Sequence, residues 1–515
     1  MLGRAASGAI RQRIYSRMNR DVEATGTNVR DMPRFVTAAQ WREDLDFLAH
    51  EMPRRFIYFD SFVQKEAFDA AVTGLREGIP SLTRDQVILE LTRIVALAKA
   101  GHTVITPWQP AIDWRVLPLR FYHFDDGLYV THASRRYSHT VGARVQRIGN
   151  AEVGRVLDEA RRYIAADNDF DARQRFCQFF APFPEFYKAF GYTNTPGKTA
   201  ITMEDCAGQR FTLDVKPLSL GSPLAVKSIW PMYTYTGGVR PPEVMSNLSN
   251  RYWFEFWEDS KTVYFQFSGV RDNPKGETIA EFAERLRKFV DTHEFDRLIV
   301  DIRHNEGGDN TLVAPLVELF SGHKRINQRG RLFTIIDRET FSAAVSFATA
   351  LERRTKTLFA GEPTGGHPNT IGDNAPLVLP NSKIIVRLSW RYWQQSAPED
   401  TRRSIYPDLP VGLTHDDYFS GRDTAVEAIL GYEHEPIQEF ELSDAQKERF
   451  IGKYLFNPNQ ALAIGRKGSG LAMSITDFEE FAASDLHPVS ETRLLADIAD
   501  VEVRLLAGED APTVL

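Results

Sequence analysis

Cysteine and long apolar runs are scarce in this sequence. Its 515 residues include only two cysteines, Cys177 and Cys206. Two thiols are too few for a disulfide scaffold or a four-thiolate zinc site, although they leave one bridge between them open. No window approaches the roughly 18 apolar residues that span a bilayer. These absences exclude a disulfide-stapled miniprotein and favour a soluble chain.

An excess of basic residues is also missing. The chain has 62 Lys and Arg against 69 Asp and Glu, a formal net charge of −7. A protein that neutralises nucleic-acid phosphates carries a basic stripe, so nucleic acid is not the expected main partner. Small molecules or polypeptides remain as candidate partners, and the chain could also form a homo-oligomer.

The N-terminal segment shows no secretory signal. Residues 1–30 carry six arginines but no continuous apolar stretch, whereas a cleaved signal needs an apolar core. We expect a basic tail over 1–36 and a cytoplasmic protein, with a periplasmic or exported location as the alternative.

The hydrophobic periodicity changes along the chain. The pattern predicts three amphipathic helices. Capping boxes at Thr37–Gln40 and Thr83–Gln86 begin the first, which ends at Pro53, and the third, which ends at Gly101, and the second runs near Phe68 to Leu75. From about Leu117 the period is two, with turn residues between short apolar runs, which predicts a β-rich unit.

Apolar strands then alternate with helical segments. Leu298 to Ile302, Leu332 to Ile336 and Leu358 to Ala360 are such strands, and the alternation implies crossover connections and a parallel sheet. A strand pair over Tyr252 to Phe267 precedes them, and an acidic linker over Glu433 to Glu441 follows them.

The patterns predict a multidomain α/β protein. At about 58.5 kDa, the chain is too large for one hydrophobic core and fits roughly three to four folded domains. We divide it into a basic tail (1–36), an N-terminal helical domain (37–113), a β-rich domain (114–217), an α/β catalytic core (218–432) and an accessory β domain (433–515).

Two segments of the α/β core could stabilise negative charge. The strand at Leu298 runs into Gly307-Gly308, and paired glycines let backbone N–H groups face outward at the sheet edge where ligands of open α/β folds bind. Ser342 stands where the next strand gives way to a helix. It is either an ordinary N-cap or a nucleophile. As a nucleophile it would attack a carbonyl group, and the helix N-terminus and the Ala343 N–H would stabilise the negative charge on the carbonyl oxygen.

A serine nucleophile needs a base and an orienting group. The candidate bases are His102, just past a helix end, and His367, in Gly361-Glu-Pro-Thr-Gly-Gly-His367. The candidate acids are Glu399 and Asp400. No His, Cys and Asp cluster has metal-ligand spacing, so we expect no metal and no cofactor.

Four blocks in order resemble the tail-specific, or carboxyl-terminal processing, serine peptidases, which include the core of the tricorn protease. The blocks are Asp301-Ile-Arg-His-Asn-Glu-Gly-Gly308, Phe341-Ser-Ala-Ala344, Gly361-Glu-Pro-Thr-Gly-Gly366, and Pro407-Asp-Leu-Pro-Val411 with Gly421-Arg-Asp-Thr-Ala425. The resemblance covers about 37–432. It implies a crotonase-like parallel-sheet core, a PDZ-like insert over about 114–217, and a small β domain after Leu442.

The resemblance also implies roles for single residues. It makes Ser342 the nucleophile and Gly307 or Gly308, with Ala343, the oxyanion donors. The lysine of the Ser-Lys branch falls on His367, whereas the tricorn-like branch takes its base from the position of His102, which we favour. The polar residue before that histidine is Gly101 here. The expected acid falls near Thr401, so Glu399 and Asp400 are both kept.

We therefore predict a serine peptidase that cleaves polypeptides through an acyl-enzyme on Ser342, with His102 as general base. The alternative is a catalytically inactive relative that binds peptides or an apolar ligand in the same cleft. A crotonase-type acyl-CoA enzyme ranks last, since it would need neither the serine nor a PDZ-like insert.

Overall fold

The structure is a computed structural model of the chain. The parts of the chain that it describes are residues 33, 35–219, 247, 250–273, 276–432, 440–457, 460–475, 484–491, 493–496, 502–504 and 513–514. Most of the predicted tail and of the acidic linker lies outside the described residues.

Four helices begin the described chain: α1 (Ala38–Arg55), α2 (Phe59–Phe62), α3 (Lys65–Gly78) and α4 (Arg84–Ala96). Thr37 and Thr83 each accept a hydrogen bond from the backbone N–H three residues on, which confirms both capping boxes. The predicted stop at Pro53 was wrong. The helix continues to Arg55 and closes with a bond from Phe56 N–H to the carbonyl of Met52, since a proline in the last turn removes only one N–H.

The β-rich unit follows. Its elements are β1 (Arg115–Val116), β2 (Leu119–Phe124), β3 (Gly127–Ala133), β4 (Arg144–Ile148), β5 (Ala151–Glu152), α5 (Val153–Ala160), α6 (Asp169–Phe179), α7 (Pro184–Ala189), β6 (Thr199–Glu204), β7 (Arg210–Val215) and β8 (Leu218–Ser219). An antiparallel sheet has the order β2-β3-β4-β6-β7, with β5 paired to β4, and β1 pairs with β8. The sequence periodicity did not predict α6 and α7.

The third group of elements contains the parallel strands. Its members are β9 (Tyr252–Trp257), β10 (Thr262–Phe267), α8 (Ile279–Thr292), β11 (Arg297–Asp301), α9 (Ala314–Gly322), β12 (Leu332–Ile336), α10 (Ala343–Arg354), β13 (Leu358–Gly361), β14 (Thr370–Val378), β15 (Ile385–Trp393), β16 (Leu409–Pro410), α11 (His415–Ser420) and α12 (Thr424–Leu430). The main sheet has the order β16-β13-β12-β11-β10-β9. Within this sheet, β10, β11, β12, β13 and β16 are parallel, as the alternating pattern predicted, and β9 is antiparallel to β10.

Both faces of this sheet are covered. Alternate strand residues point to opposite sides, so Leu298 and Val300 pack with α8, α9 and α10, while Ile299 packs with α12. A parallel sheet buried on both faces explains why its strands are continuous apolar runs. The chain is therefore a mixed α/β protein with several sheets.

Strands β14 and β15 form a separate hairpin outside the main sheet. Its residues Ile371 and Leu388 join the same apolar cluster as the N-terminal helices and the β-rich unit. Val104 exchanges two backbone hydrogen bonds with Arg387 of β15, each 2.9 Å long. This hairpin thus ties residues just after His102 to the α/β part of the chain.

The C-terminal part forms a separate antiparallel sheet. It contains α13 (Asp444–Glu448), β17 (Gly452–Asn457), β18 (Gln460–Lys467), β19 (Gly470–Ile475), β20 (Ser484–Ser490), β21 (Arg493–Ala496), β22 (Glu502–Arg504) and β23 (Thr513–Val514). Its seven strands pair in chain order.

Two further expectations concern the thiols and the membrane. Cys177 is buried in α6 and Cys206 is exposed, and both are free thiols, so the bridge left open by the sequence does not form. Among the described residues, no helix combines the length and the apolar composition needed to cross a membrane.

Candidate active site

Ser342 lies at a sharp turn between β12 and α10. Phe341 N–H donates to the carbonyl of Asn305 at 3.1 Å, and the side chain of Asp337 accepts from the N–H of Thr340 at 3.0 Å, which fixes the loop before the serine. Ser342 itself has φ 58° and ψ −126°, a conformation that residues with a Cβ rarely adopt. Such strain persists only where the surroundings impose it, and it is common at functional positions.

His102 follows the turn after α4. Its Nε2 lies 3.0 Å from Oγ of Ser342, which is hydrogen-bonding distance. The imidazole stacks on the ring of Phe341, with centroids 4.5 Å apart and an interplanar angle of 26°. The next residue, Thr103, receives the N–H of Ser389 at 3.0 Å, so β15 anchors the backbone that carries the histidine.

The paired glycines lie beside the serine. Gly307 has φ 90°, and a Cβ built on it would lie 2.6 Å from the Ala343 nitrogen. Gly308 has φ 153°, and its Cβ would lie 2.0 Å from the carbonyl oxygen of Val270. Both positions therefore require glycine, because a side chain would displace the backbone.

The two glycine amides differ in their partners. Gly307 N–H donates to Oδ1 of Asn305 at 2.9 Å, and the Asn305 amide in turn donates to the carbonyl of Phe267 at 2.7 Å. Because this bond occupies the Gly307 amide, Gly308 is the better candidate donor of the pair. The Ala343 N–H lies in the first turn of α10, where backbone N–H groups have no intrahelical acceptor.

A cavity of about 530 Å³ opens at this position. Its lining includes the hydroxyl group, the imidazole and both candidate amide donors, together with charged side chains. The lining residues are His102, Arg271, Gly308, Asp309, Asn310, Thr311, Ser342, Ala343, Ser346, Thr370, Gly372, Asp373, Arg391 and Trp393. Ser342, His102, Gly308 and Ala343 thus border one solvent-accessible space, and a hydroxyl, an imidazole and two backbone amides are the groups that acyl transfer uses.

The fold resembles that of solved protein structures. Mature CPAF complexed with lactacystin aligns with a TM-score of 0.53 at 13% identity, over 76% of this chain and 97% of CPAF. The chain has the fold of CPAF. Two more distant structures are the photosystem II D1 C-terminal processing protease (TM-score 0.36, 13% identity, 76% of this chain and 99% of that one) and the tricorn protease (TM-score 0.34, 14% identity, 76% and 36%).

The tail-specific resemblance found in the sequence motifs is confirmed at the level of the fold. At 13% identity to CPAF, what the two chains demonstrably share is the fold. No family model and no curated protein matches the sequence.

The two predicted acids lie in the loop after β15. Arg402 Nε donates to Asp400 at 2.9 Å, and this bond lowers the pKa of Asp400 to about 2. The same guanidinium also binds Glu352 at 2.7 and 2.8 Å. Glu399 is exposed. Neither predicted acid lines the cavity that holds Ser342, and the carboxylate of Asp400 is committed to Arg402.

His367, the alternative base, contacts Asn369 and Asp167. Its Nδ1 bonds the carbonyl of Asn369, and its Nε2 lies 3.8 Å from Oδ2 of Asp167. It does not line the cavity with Ser342. The spacing that suggested it counts positions along the chain, whereas the fold brings His102 to the serine.

A buried polar cluster next to Gly101 was missed in the sequence. Asp167 accepts the Gly101 N–H at 2.6 Å, and Asp171 forms an ion pair with Arg175 at 2.6 Å. Burial raises the pKa of Asp171 to about 6, although Arg175 opposes this. An Asp and an Arg four residues apart usually form a solvated pair on a helix surface, so nothing in the sequence indicated that this pair is buried.

Asn305 and His304 were also missed as supports of the glycine loop. His304 has φ 57° and its Nδ1 lies 3.1 Å from Glu339. Burial alone would lower its pKa, but the Glu339 carboxylate outweighs burial and raises the pKa of His304. An Asn before two glycines is a turn signal that could have been used.

Proposed function

We propose that the chain is a serine peptidase that cleaves polypeptides through an acyl-enzyme on Ser342, with His102 as general base. The observation that carries the proposal is the 3.0 Å contact between Nε2 of His102 and Oγ of Ser342, at a strained turn beside two candidate amide donors. A serine hydroxyl is inert without a base in contact with it.

The geometry supports a conventional sequence of steps. Nε2 of His102 would take the Ser342 proton as Oγ attacks the carbonyl carbon of the scissile bond. The N–H groups of Gly308 and Ala343 would donate to the oxyanion. His102 would then give its proton to the leaving amine, and a water molecule would hydrolyse the ester by the same steps in reverse.

The finer domain assignments belong to this proposal. We infer that the six-stranded sheet is a crotonase-like catalytic core within 218–432, because the nucleophile and the glycine pair lie just past the carboxyl ends of its parallel strands. The antiparallel sheet within 114–217 would be a PDZ-like unit that binds extended peptides. Residues 37–113 would form the helical domain and 433–515 the accessory β domain. The assignment of Glu399 or Asp400 as the orienting acid stays a prediction.

Labelling with a fluorophosphonate, which reacts with activated serines, tests the proposal. We expect the wild type and Ser346→Ala to be labelled and to hydrolyse a casein substrate, and Ser342→Ala to do neither. Ser346 is a matched control because it lines the same cavity one turn along α10. A wild type that binds peptides but is neither labelled nor active would instead support the inactive-relative alternative.

A further inference from the structure

Arg175 of α6 reaches the candidate base through one aromatic ring. Its guanidinium carbon lies 5.1 Å from the centroid of Phe341, and the same ring stacks on His102 at 4.5 Å. A cation within about 6 Å of a ring centroid is attracted to the ring, more strongly when desolvated. Arg175 does not line the cavity, so it can act on the site only through Phe341 and the neighbouring backbone.

Arg175 has little freedom to move. Its Nε lies 2.6 Å from Oδ2 of Asp171, and the two side chains are only 9% and 6% exposed. Asp171 also accepts the N–H of Asp167 at 3.1 Å. A buried ion pair adds little net stability, because both charges lose their hydration. The position of neighbouring groups, rather than net stability, therefore better explains why the Asp171–Arg175 pair is buried.

The same cluster holds the residue before the base. Oδ1 of Asp167 accepts the Gly101 N–H at 2.6 Å. A Cβ on Gly101 would lie 2.6 Å from Nη2 of Arg175 and 2.9 Å from the ζ carbon of Phe341. The Arg175 guanidinium and the Phe341 ring therefore fill the space beside Gly101, and only glycine fits at this position.

We propose that Arg175, fixed by Asp171 and packed on Phe341, is a positioning residue that holds the imidazole of His102 in line with Oγ of Ser342. This inference rests on the proposed function. Phe341 packs on one face of the His102 ring, and Asp167 accepts a hydrogen bond from the backbone of the preceding residue. These two contacts keep the orientation of the imidazole through the proton transfers. Misplacement by about 1 Å can cost on the order of 100-fold in rate.

The first test compares Arg175→Met, which keeps an unbranched aliphatic stem but removes the guanidinium and its charge, with Arg175→Lys and with Arg173→Met on the same helix. We expect Arg175→Met to lower kcat about 10- to 100-fold with KM within about twofold, because Arg175 touches Phe341 and not the cavity. Arg175→Lys should recover part of the loss, and Arg173→Met should leave kcat unchanged. A folded Arg175→Met with normal kcat, or with a raised KM alone, overturns the proposal.

Coupling between the two packed side chains gives a second test, which also serves if Arg175→Met folds poorly. Phe341→Leu removes the ring between the cation and the imidazole. If both act through one stack, the double variant of Phe341→Leu with Arg175→Lys should lose no more kcat than Phe341→Leu alone. Multiplicative losses would mean that Arg175 acts independently of Phe341, contrary to the proposal.

The third measurement separates this proposal from the peptidase assignment. The ¹³Cε1 NMR resonance of His102, assigned by its loss in His102→Ala, should move in Arg175→Met and stay in place in Arg173→Met. If the wild type is inert to fluorophosphonate but this shift occurs, the peptidase proposal fails and the positioning proposal stands. If the resonance is the same in Arg175→Met, the positioning proposal fails whatever the activity.

Discussion

Nε2 of His102 lies 3.0 Å from Oγ of Ser342, although 240 positions separate the two residues in the sequence. The histidine comes from the turn after the last N-terminal helix, and the serine from the residue just before helix α10. Thr103 and Val104, bonded to the β14–β15 hairpin, fix the approach. The contact therefore depends on how the helical and α/β parts of the chain pack together.

The backbone of Ser342 predicts opposite effects on activity and stability. Its φ of 58° and ψ of −126° suit glycine, and relief of such a conformation is worth about 1 kcal/mol. Ser342→Gly should abolish hydrolysis and raise the free energy of unfolding by about that amount, whereas Ser342→Ala should abolish hydrolysis with stability near that of the wild type. Urea unfolding measures the stability of both variants. If Ser342→Gly were less stable than Ser342→Ala, the backbone at Ser342 would not be strained.

The two candidate bases should differ in their effect on turnover. His102→Ala removes the group in contact with Ser342, so kcat should fall by several powers of ten, since an unassisted serine is a poor nucleophile. His367→Ala removes a ring that bonds Asn369 and faces Asp167, so its loss should be far smaller. Single-turnover kinetics on an activated ester compare the two. The reverse order would make His367 the base.

The glycine pair predicts a sharp positional effect. Gly308→Ala places a Cβ 2.0 Å from the Val270 carbonyl, which must displace the Gly308 amide, so kcat should fall at least about 100-fold. Gly74→Ala is the matched control, because its Cβ meets nothing within 4 Å and glycine inside a helix costs about 0.5–1 kcal/mol relative to alanine. That control should stay active and become slightly more stable. Equal kcat in both variants would exclude Gly308 from the oxyanion site.

The loop around Asp400 predicts a pH effect on stability. The hydrogen bond from Arg402 lowers the pKa of Asp400 to about 2 from its ordinary 3.8, so the bond stabilises the folded state above pH 3.8 and this contribution is lost as the pH falls through 2. Asp400→Asn should therefore lower the free energy of unfolding at pH 7 by about 1 kcal/mol or less. The difference from the wild type should shrink as the pH is lowered from 4 towards 2.

Asp400→Asn also tests the acid assignment. Because Asp400 is bonded to Arg402, kcat of this variant should stay within a few-fold of the wild type, and Glu399→Gln should behave likewise. Loss of a triad acid typically lowers kcat by about 10⁴. A loss of that size in either variant would identify that residue as the orienting acid of His102.

Local signals account for what the sequence predicted correctly. The capping boxes at Thr37 and Thr83 depend on residues three positions apart, and both are present. The apolar runs of β11, β12 and β13 gave the parallel sheet because each strand is buried on both faces. Ser342 and the glycine pair could be singled out because strand ends of a parallel sheet meet at one edge.

The same local signals failed where burial is set by distant segments. Helix α6 has polar residues on the side that packs against Gly101, and the Asp171–Arg175 pair looks like an ordinary solvated one in the sequence. From the sequence, both His102 and His367 were candidate bases, and both Glu399 and Asp400 were candidate acids. Spacing along the chain could not decide between them, because it carries no information on proximity in the fold.

The sequence by itself determined the two capped N-terminal helices, the parallel strands, the strand-to-helix turn at Ser342 and the need for glycine beside it, since each follows from side-chain periodicity and backbone sterics within a few residues. Only the tertiary structure decided that His102 rather than His367 contacts Ser342, that Asn305 occupies the amide of Gly307, and that Arg175 and Phe341 pack beside the imidazole. Those choices depend on which side chains the packing of separate segments brings within about 3–5 Å of one another, a distance that no local pattern encodes.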